Sequence, residues 1–331
     1  MSIISIKEIG VSKNKQIINS IEVAIINKTL KKGDKLPSIN SIRDKFSISR
    51  DTVLNAYNEL KMRGIIQSVV GKGYYLIKED ISTSKKIFLL FDEFNAFKED
   101  LYNAFISNLD ARVEVDIFFH HFNYDVFRNT ILNNTGNYSY YVIMPANLKN
   151  TGAIVEHLPQ DKVYILDQMH DDLMKFPAVY QNFEKGVFEC LEKLKLQILN
   201  YSKLILFFNT AKQPVFILKG FELFCAKNNI PFEVLESIKN IAIQKGCAYM
   251  TLEDSSLISI IKQAKVKKLK VIDDIGIISY NDTSLKEIVG EGITVISTDF
   301  SEMGKKLAKM ITDNSKQRIE NEITLTLRKS I

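Results

Sequence analysis

Between Lys15 and Leu30 apolar residues recur at Ile18, Ile21 and Ile25, with Ile17 and Ala24 beside them, which is the spacing of one face of a helix. Gly33 follows near its end. The run Leu36-Pro37-Ser38 then breaks the pattern, with Ser38 placed to cap a second helix whose stripe is Ile39, Ile42 and Phe46. A second break, Ser47-Ile48-Ser49, offers another capping serine. Val53, Ala56, Tyr57 and Leu60 repeat after it at i, i+3, i+4 and i+7 until Gly64 stops the third helix. Ile65 to Val70 and Tyr74 to Ile77 read as short strands joined by Gly71-Lys72-Gly73, a turn with glycine on both sides of one cation. Three helices followed by a hairpin predict a winged helix-turn-helix over residues 1–78. The face of the third helix opposite its apolar stripe displays Arg50, Thr52 and Asn55, with Ser49 and Arg50 at the N-terminal end, where backbone N–H groups attract anions.

Residues 79–86 are polar, charged and serine-containing, and read as a linker. Beyond them the pattern changes. Ile87 to Phe91, Val113 to Phe119, Tyr140 to Met144, Val163 to Leu166, Leu204 to Phe208 and Val271 to Ser279 are short apolar runs without strict alternation, separated by stretches with helical spacing. Such alternation predicts βαβ units and parallel sheets covered on both faces. The fold class expected is α/β, residues 87–331 forming a two-lobed domain that takes a ligand outside the carboxyl ends of its strands.

Composition narrows the function. The 331 residues exceed one ordinary core, and 46% hydrophobic with 25% charged residues is globular. Net charge is +5, but residues 1–85 alone carry +7, leaving −2 for the rest, so the basic excess lies where phosphate backbones would be met. No apolar run approaches the length of a membrane span, and Met1 to Val11 lacks a secretory signal core, so a cytoplasmic protein without membrane partners is expected. Cys190, Cys225 and Cys247 are scattered without metal or redox spacing and read as packing residues. His120 and His121, as neighbours on an assigned strand, point to opposite faces and hold no metal. No P-loop, G-x-S-x-G elbow, H-E-x-x-H helix or G-x-G-x-x-G fingerprint is present, so neither a catalytic centre nor a cofactor is expected.

The stretch from Gly33 to Leu76 joins a Leu-Pro-Ser helix start, a Ser-Arg-x-Thr-Val recognition start and a Gly-x-Gly wing, in that order. It resembles the DNA-binding domain of the GntR family of bacterial regulators. The resemblance implies that Arg50 and Thr52 contact DNA, with Ser38 and Ser49 as caps or phosphate partners and Gly71 and Lys72 on the wing. Where the family carries an arginine two residues after the first capping serine, this chain has Asn40, which can still bond a base edge or phosphate with a different operator preference.

The larger part resembles the effector domain of the LacI and GalR family, a periplasmic-binding-protein-like fold of type I, and the combination is similar to arabinose repressors. Lys219-Gly220-Phe221, Glu253-Asp254, Ser279-Tyr280-Asn281-Asp282, the segment Thr294 to Gly304 and the terminal Leu327-Arg328-Lys329-Ser330 carry that resemblance. It implies ligand contacts from Asp92, Glu93, Asp167, Lys219, Glu253, Asn281 and Phe300: carboxylates and amides for paired hydroxyls, an aromatic ring for an apolar sugar face. The arginine that relatives place three residues before the Gly-Phe pair is Ile217 here, with Lys219 the nearest cation. The function implied is a homodimeric repressor that binds operator DNA and is released by a monosaccharide such as arabinose or fucose. Two alternatives stand beside it: a sugar-binding module without regulatory output, and a GntR-type head fused to a pyridoxal-phosphate enzyme. For the second the remaining length is short and no cofactor lysine motif is present.

Overall fold

The computed structural model describes residues 3–6, 12–79 and 85–331; most of the expected linker, residues 80–84, lies outside them. The chain divides into two compact units. The first gathers the residues up to Phe91 with Leu109–Ile143 and Asn150–Tyr164, and the second gathers Asp92–Asn108, Met144–Lys149 and Ile165–Ile331.

The first unit opens with α1 (Lys13–Ile26), α2 (Ile39–Phe46) and α3 (Arg50–Met62), then the hairpin β1 (Ile66–Val69) and β2 (Gly73–Leu76). The register Ile66↔Leu76 to Val69↔Gly73 is antiparallel, and a bridge from Lys35 to Tyr75 adds a third short edge. Ile17, Ile21, Val53, Ala56, Tyr57 and Leu60 are fully buried in one apolar cluster. Each large member stabilises the head by about 1.5–3 kcal/mol relative to exposure. Tyr57 ties three elements together: its hydroxyl donates to the Pro37 carbonyl at 2.7 Å and its ring stands edge-on to Tyr74 at 4.8 Å. The unit continues with β3 (Lys86–Phe91), and its later segments carry β4 (Glu114–Phe119), α5 (Tyr124–Asn134), β5 (Tyr140–Ile143) and α6 (Thr151–Val155). Ser139 Oγ donates to the Met62 carbonyl at 3.3 Å, Lys162 Nζ lies 3.4 Å from Met62 Sδ, and Lys78 pairs with Glu114 at 2.6 Å. The end of α3 is thereby fastened to the start of β5.

The second unit holds α4 (Ala96–Ser107) and, after β6 (Val163–Asp167), the elements β7 (Ala178–Tyr180), α7 (Phe183–Lys193), α8 (Lys195–Ile198), β8 (Lys203–Phe207), α9 (Val215–Asn228), β9 (Phe232–Leu235) and β10 (Cys247–Thr251). It ends with α10 (Asp254–Lys267), β11 (Ile275–Tyr280), α11 (Ser284–Ile288), β12 (Thr294–Thr298), α12 (Phe300–Thr312), β13 (Arg318–Glu320) and β14 (Ile323–Thr326). Two six-stranded sheets result, in the orders β13-β7-β6-β5-β3-β4 and β14-β12-β11-β10-β8-β9. This is the two-lobed α/β fold expected.

Pairing is parallel except where β14 runs against β12, so crossovers must be helical, and the buried strands read as continuous apolar runs. In each sheet the strand order reverses once, between β3 and β5 and between β8 and β10. Strand ends beside such reversals are where open α/β sheets bind ligands. Close helix packing explains two glycines: a Cβ on Gly220 of α9 would lie 2.4 Å from the Glu184 carbonyl oxygen of α7, and one on Gly304 of α12 would lie 2.3 Å from the Leu101 carbonyl oxygen of α4. Two sequence expectations are corrected. The run from Val271 becomes a strand only from Ile275, after the turn at Asp273-Asp274. His120 and His121 lie past the end of β4, His121 with a left-handed φ of 49°, so they are turn residues and not strand neighbours.

Candidate DNA-binding surface and ligand-binding cluster

In the head, both serines expected as caps act as caps. Ser38 Oγ accepts the Ser41 N–H at 3.0 Å, and Ser49 Oγ accepts the Thr52 N–H at 3.1 Å. Thr52 Oγ1 sits 2.8 Å from Ser49 Oγ, so the hydroxyls at the start of α3 hold one another. Asn40, Arg50 and Asn55 are exposed, on the faces of α2 and α3 turned away from the apolar cluster. The positive end of the α3 dipole and the Arg50 guanidinium share that corner, an arrangement suited to a phosphate or a base edge. Gly71 and Gly73 take φ of 71° and 109°, left-handed conformations that glycine adopts without strain. They carry Lys72 to the exposed tip beside Val70, which is 97% exposed.

A different chemistry occupies the second unit. Asp92, immediately after β3, is buried and pairs with Lys98, itself 5% exposed on α4. Asp92 Oδ1 also accepts the Glu93 N–H at 2.6 Å. Asp167, the last residue of β6, is buried, has a left-handed φ of 74°, and accepts a bond from Gln181 Nε2 at 2.5 Å. A non-glycine residue held there carries backbone strain, which gathers at binding sites. Burial pushes the Asp167 carboxyl up, opposed by the charge of Lys98 and the bond from Gln181, and burial pushes Lys98 down to about 8. The Tyr280 hydroxyl, at the end of β11, is driven well up by burial and by the charge of Asp167. It makes no hydrogen bond, and neither does Gln181 Oε1 or Asn281 Oδ1. These orphaned buried polar atoms stand at or beside strand ends, and each is left to be met by a group outside the protein's own bonding.

The remaining residues implied by the resemblance are dispersed. Glu93 Oε2 pairs with Lys212 Nζ at 3.3 Å. Lys219 is exposed on α9, its ammonium 4.7 Å from the Phe216 ring, while Ile217, where relatives carry arginine, is buried in the core. Glu253 precedes α10 and lines a cavity of about 520 Å³ with the 237–242 loop and Gln263. Phe300 is buried, its ring 4.8 Å from that of Phe97. Asn281 has a φ of 59°, and its turn is pinned by the buried Lys286, whose Nζ donates to the carbonyls of Tyr280 and Asn281 at 2.8 and 2.6 Å and pairs with Asp254 at 2.9 Å. Asp282 is held bidentately by Arg328 at 2.9 and 2.7 Å, a fastening of the C-terminal segment.

Lys98, Gln181 and Tyr280 were not among the sequence candidates as side chains. Lys98 reads in sequence as one more helical cation, and only the fold carries it under the sheet. Gln181 lines a second cavity, of about 230 Å³, with Tyr180, Phe183, Phe216 and Met169. Among the described residues no group of three or more His, Cys, Asp or Glu is placed to hold a metal ion, and no helix is long and apolar enough to cross a membrane.

A winged helix-turn-helix is joined here to a two-lobed, periplasmic-binding-protein-like α/β domain, a combination that places the chain among bacterial regulatory proteins. Residues 13–76 match the model for bacterial regulatory proteins of the gntR family, and residues 200–331 match the periplasmic binding protein-like domain. The chain is 33% identical over 101 residues to the HTH-type transcriptional repressor YtrA of Bacillus subtilis, a match covering 30% of this chain and 74% of that protein. It belongs to the gntR family. Three further bacterial regulators are matched over smaller shares, the chain spanning 15%, 42% and 33% of their lengths. The last is the mannosyl-D-glycerate transport/metabolism system repressor MngR of Escherichia coli, 33% identical over 79 residues, 24% of this chain. Among solved structures, the trehalose repressor from Escherichia coli superposes with a TM-score of 0.61 at 14% identity, covering 73% of this chain and all of that one.

Proposed function

We propose that this chain is a DNA-binding transcription regulator whose α/β domain senses a sugar and whose winged helix binds an operator, as a homodimer with two heads on half-sites about 34 Å apart. The observation that carries the reading is the start of α3: a serine-capped helix end with Arg50 and Asn55 exposed, beside a wing tipped by Lys72. Ser38, Asn40, Ser49, Arg50, Thr52, Asn55, Gly71 and Lys72 form the DNA surface in this reading. The buried polar cluster after β3, β6 and β11 is the sensing site, and MngR and the trehalose repressor, which carry saccharides in their names, support a sugar as its ligand. Ligand changes operator affinity by favouring one arrangement of the dimer over another, and DNA must then change ligand affinity by the same factor.

Fluorescence anisotropy with the DNA upstream of the chain's own coding region tests the first half. Binding is expected to weaken steeply with salt, because phosphate contacts release counterions. A sugar-binding module without regulatory output would bind no promoter fragment at any salt. A thermal-shift screen over monosaccharides tests the second half, since a ligand at a hundred times its Kd stabilises by about 2.7 kcal/mol. Sedimentation of the free protein and of its operator complex tests the dimer.

A further inference from the structure

The cluster around Asp167 holds two buried carboxylates and one buried ammonium. Asp92 and Lys98 neutralise each other, and Asp167 is left with an amide bond from Gln181 and a share of the same lysine's charge. Three other cations nearby are engaged or wet: Lys212 pairs with Glu93, exposed Lys219 lies 4.7 Å from the Phe216 ring, and Arg318, exposed where it lines the Gln181 cavity, rests its guanidinium 3.6 Å from Met174 Sδ. A buried carboxylate that shares one ammonium with a second carboxylate is unfavourable when charged, and it is relieved by taking up a proton or by a further donor.

The orphaned atoms around Asp167 point to what relieves it. Gln181 is 5% exposed and gives its NH₂ to Asp167, so its Oε1, which has no partner, stands within the same cluster as an acceptor only. Tyr280, 3% exposed, keeps a hydroxyl without a partner close enough to Asp167 to feel its charge. Carboxylate and amide oxygens both require donors, and a cationic nitrogen such as an ammonium donates in several directions, accepts nothing and carries positive charge. Gln181, which bonds Asp167, and its neighbour Gln168 also line the cavity of about 230 Å³, where Tyr180, Phe183 and Phe216 offer aromatic walls suited to the C–H face of a sugar ring.

We propose that the effector carries a primary amine beside its hydroxyls, as an amino sugar does, and that Asp167 anchors that amine. The proposal rests on the reading of the domain as a sugar sensor and narrows the class of sugar.

Calorimetric titration of the full chain with matched sets decides it: glucosamine, galactosamine and mannosamine, each beside its N-acetyl form and its parent hexose, with arabinose, fucose, glucose 6-phosphate and the diamine cadaverine as further probes. One amine is expected to bind about tenfold or more tighter than both of its partners. D167N, checked for folding by its retained binding of operator DNA, is expected to erase that difference; where D167N is unstable, the wild-type comparison decides alone. A neutral sugar that binds as tightly as its amine, or a preference for the phosphate, overturns the proposal and leaves the sugar reading standing. Binding of cadaverine in place of every sugar keeps the ammonium and overturns the sugar. Silence from the whole panel overturns both.

Discussion

The head and the sensing domain are built on opposite electrostatic plans. Every buried member of the head's cluster is apolar, and Arg50, Asn55 and Lys72 stand exposed on a capped helix and a wing. The second unit instead buries Asp92, Lys98, Asp167 and Lys286. A surface that reads a polyanion needs mobile, solvated cations, whereas a site that selects a small molecule needs fixed, desolvated ones. The contrast predicts that replacing an exposed side chain of the head costs little stability, whereas replacing a buried charge of the second unit costs much.

The sharpest way to break that contrast is Lys98→Met. Removing one partner of a buried pair leaves Asp92 and Asp167 uncompensated and is expected to cost about 3–5 kcal/mol, read from the denaturation midpoint. A loss below about 1 kcal/mol would mean that the cluster is wet. Next in size is Arg50→Ala, expected to weaken operator binding by about 1–3 kcal/mol with Tm unchanged, as anisotropy and thermal melts would show together. If Tm fell as well, the head would not be the tolerant region. Ser49→Ala removes the cap at the start of α3, and about 1 kcal/mol of stability should go with it. Lys72→Ala should change little except salt dependence, lowering the slope of log K against log salt by about 1. The smallest effect separates the regions by pH. Lys98 titrates near 8 when folded against an ordinary 10.5, so between those values the unfolded chain holds a proton that the folded one has released. Raising the pH through that window therefore stabilises the fold, and a Tm difference between wild type and K98M should grow there.

The head was legible in sequence almost to the residue, because capping serines, helical stripes and left-handed glycines are local signals. Helices expected over 15–30 and from Ser38 and Ser49 appear at Lys13–Ile26, Ile39–Phe46 and Arg50–Met62, and the hairpin falls at Ile66–Val69 and Gly73–Leu76. The sheets were legible only where a strand is a continuous apolar run. Cys247–Thr251 was passed over because cysteine, alanine and threonine dilute its signal, though all five residues are buried. β13 and β14 are short edge strands of three and four residues; Ile-Thr-Leu-Thr in β14 does alternate, but over too few residues to stand out beside the continuous apolar runs. The sensing cluster was half legible. Asp92 and Asp167 stand at strand ends, which sequence locates, but Lys98, Gln181 and Tyr280 join them only through the order of strands, a property of pairing and not of spacing.

The fastening of Met62 to Ser139 and Lys162 has a mechanical consequence. The reading helix is not hung from the rest of the molecule by peptide chain alone, because its carboxyl end is braced against the root of a strand. A brace transmits tilt: a shift of that strand by a fraction of a bond length swings the far end of the helix, where Arg50 sits, through a longer arc. A lever of this kind would ask little travel at its root and would give its largest excursion at Arg50.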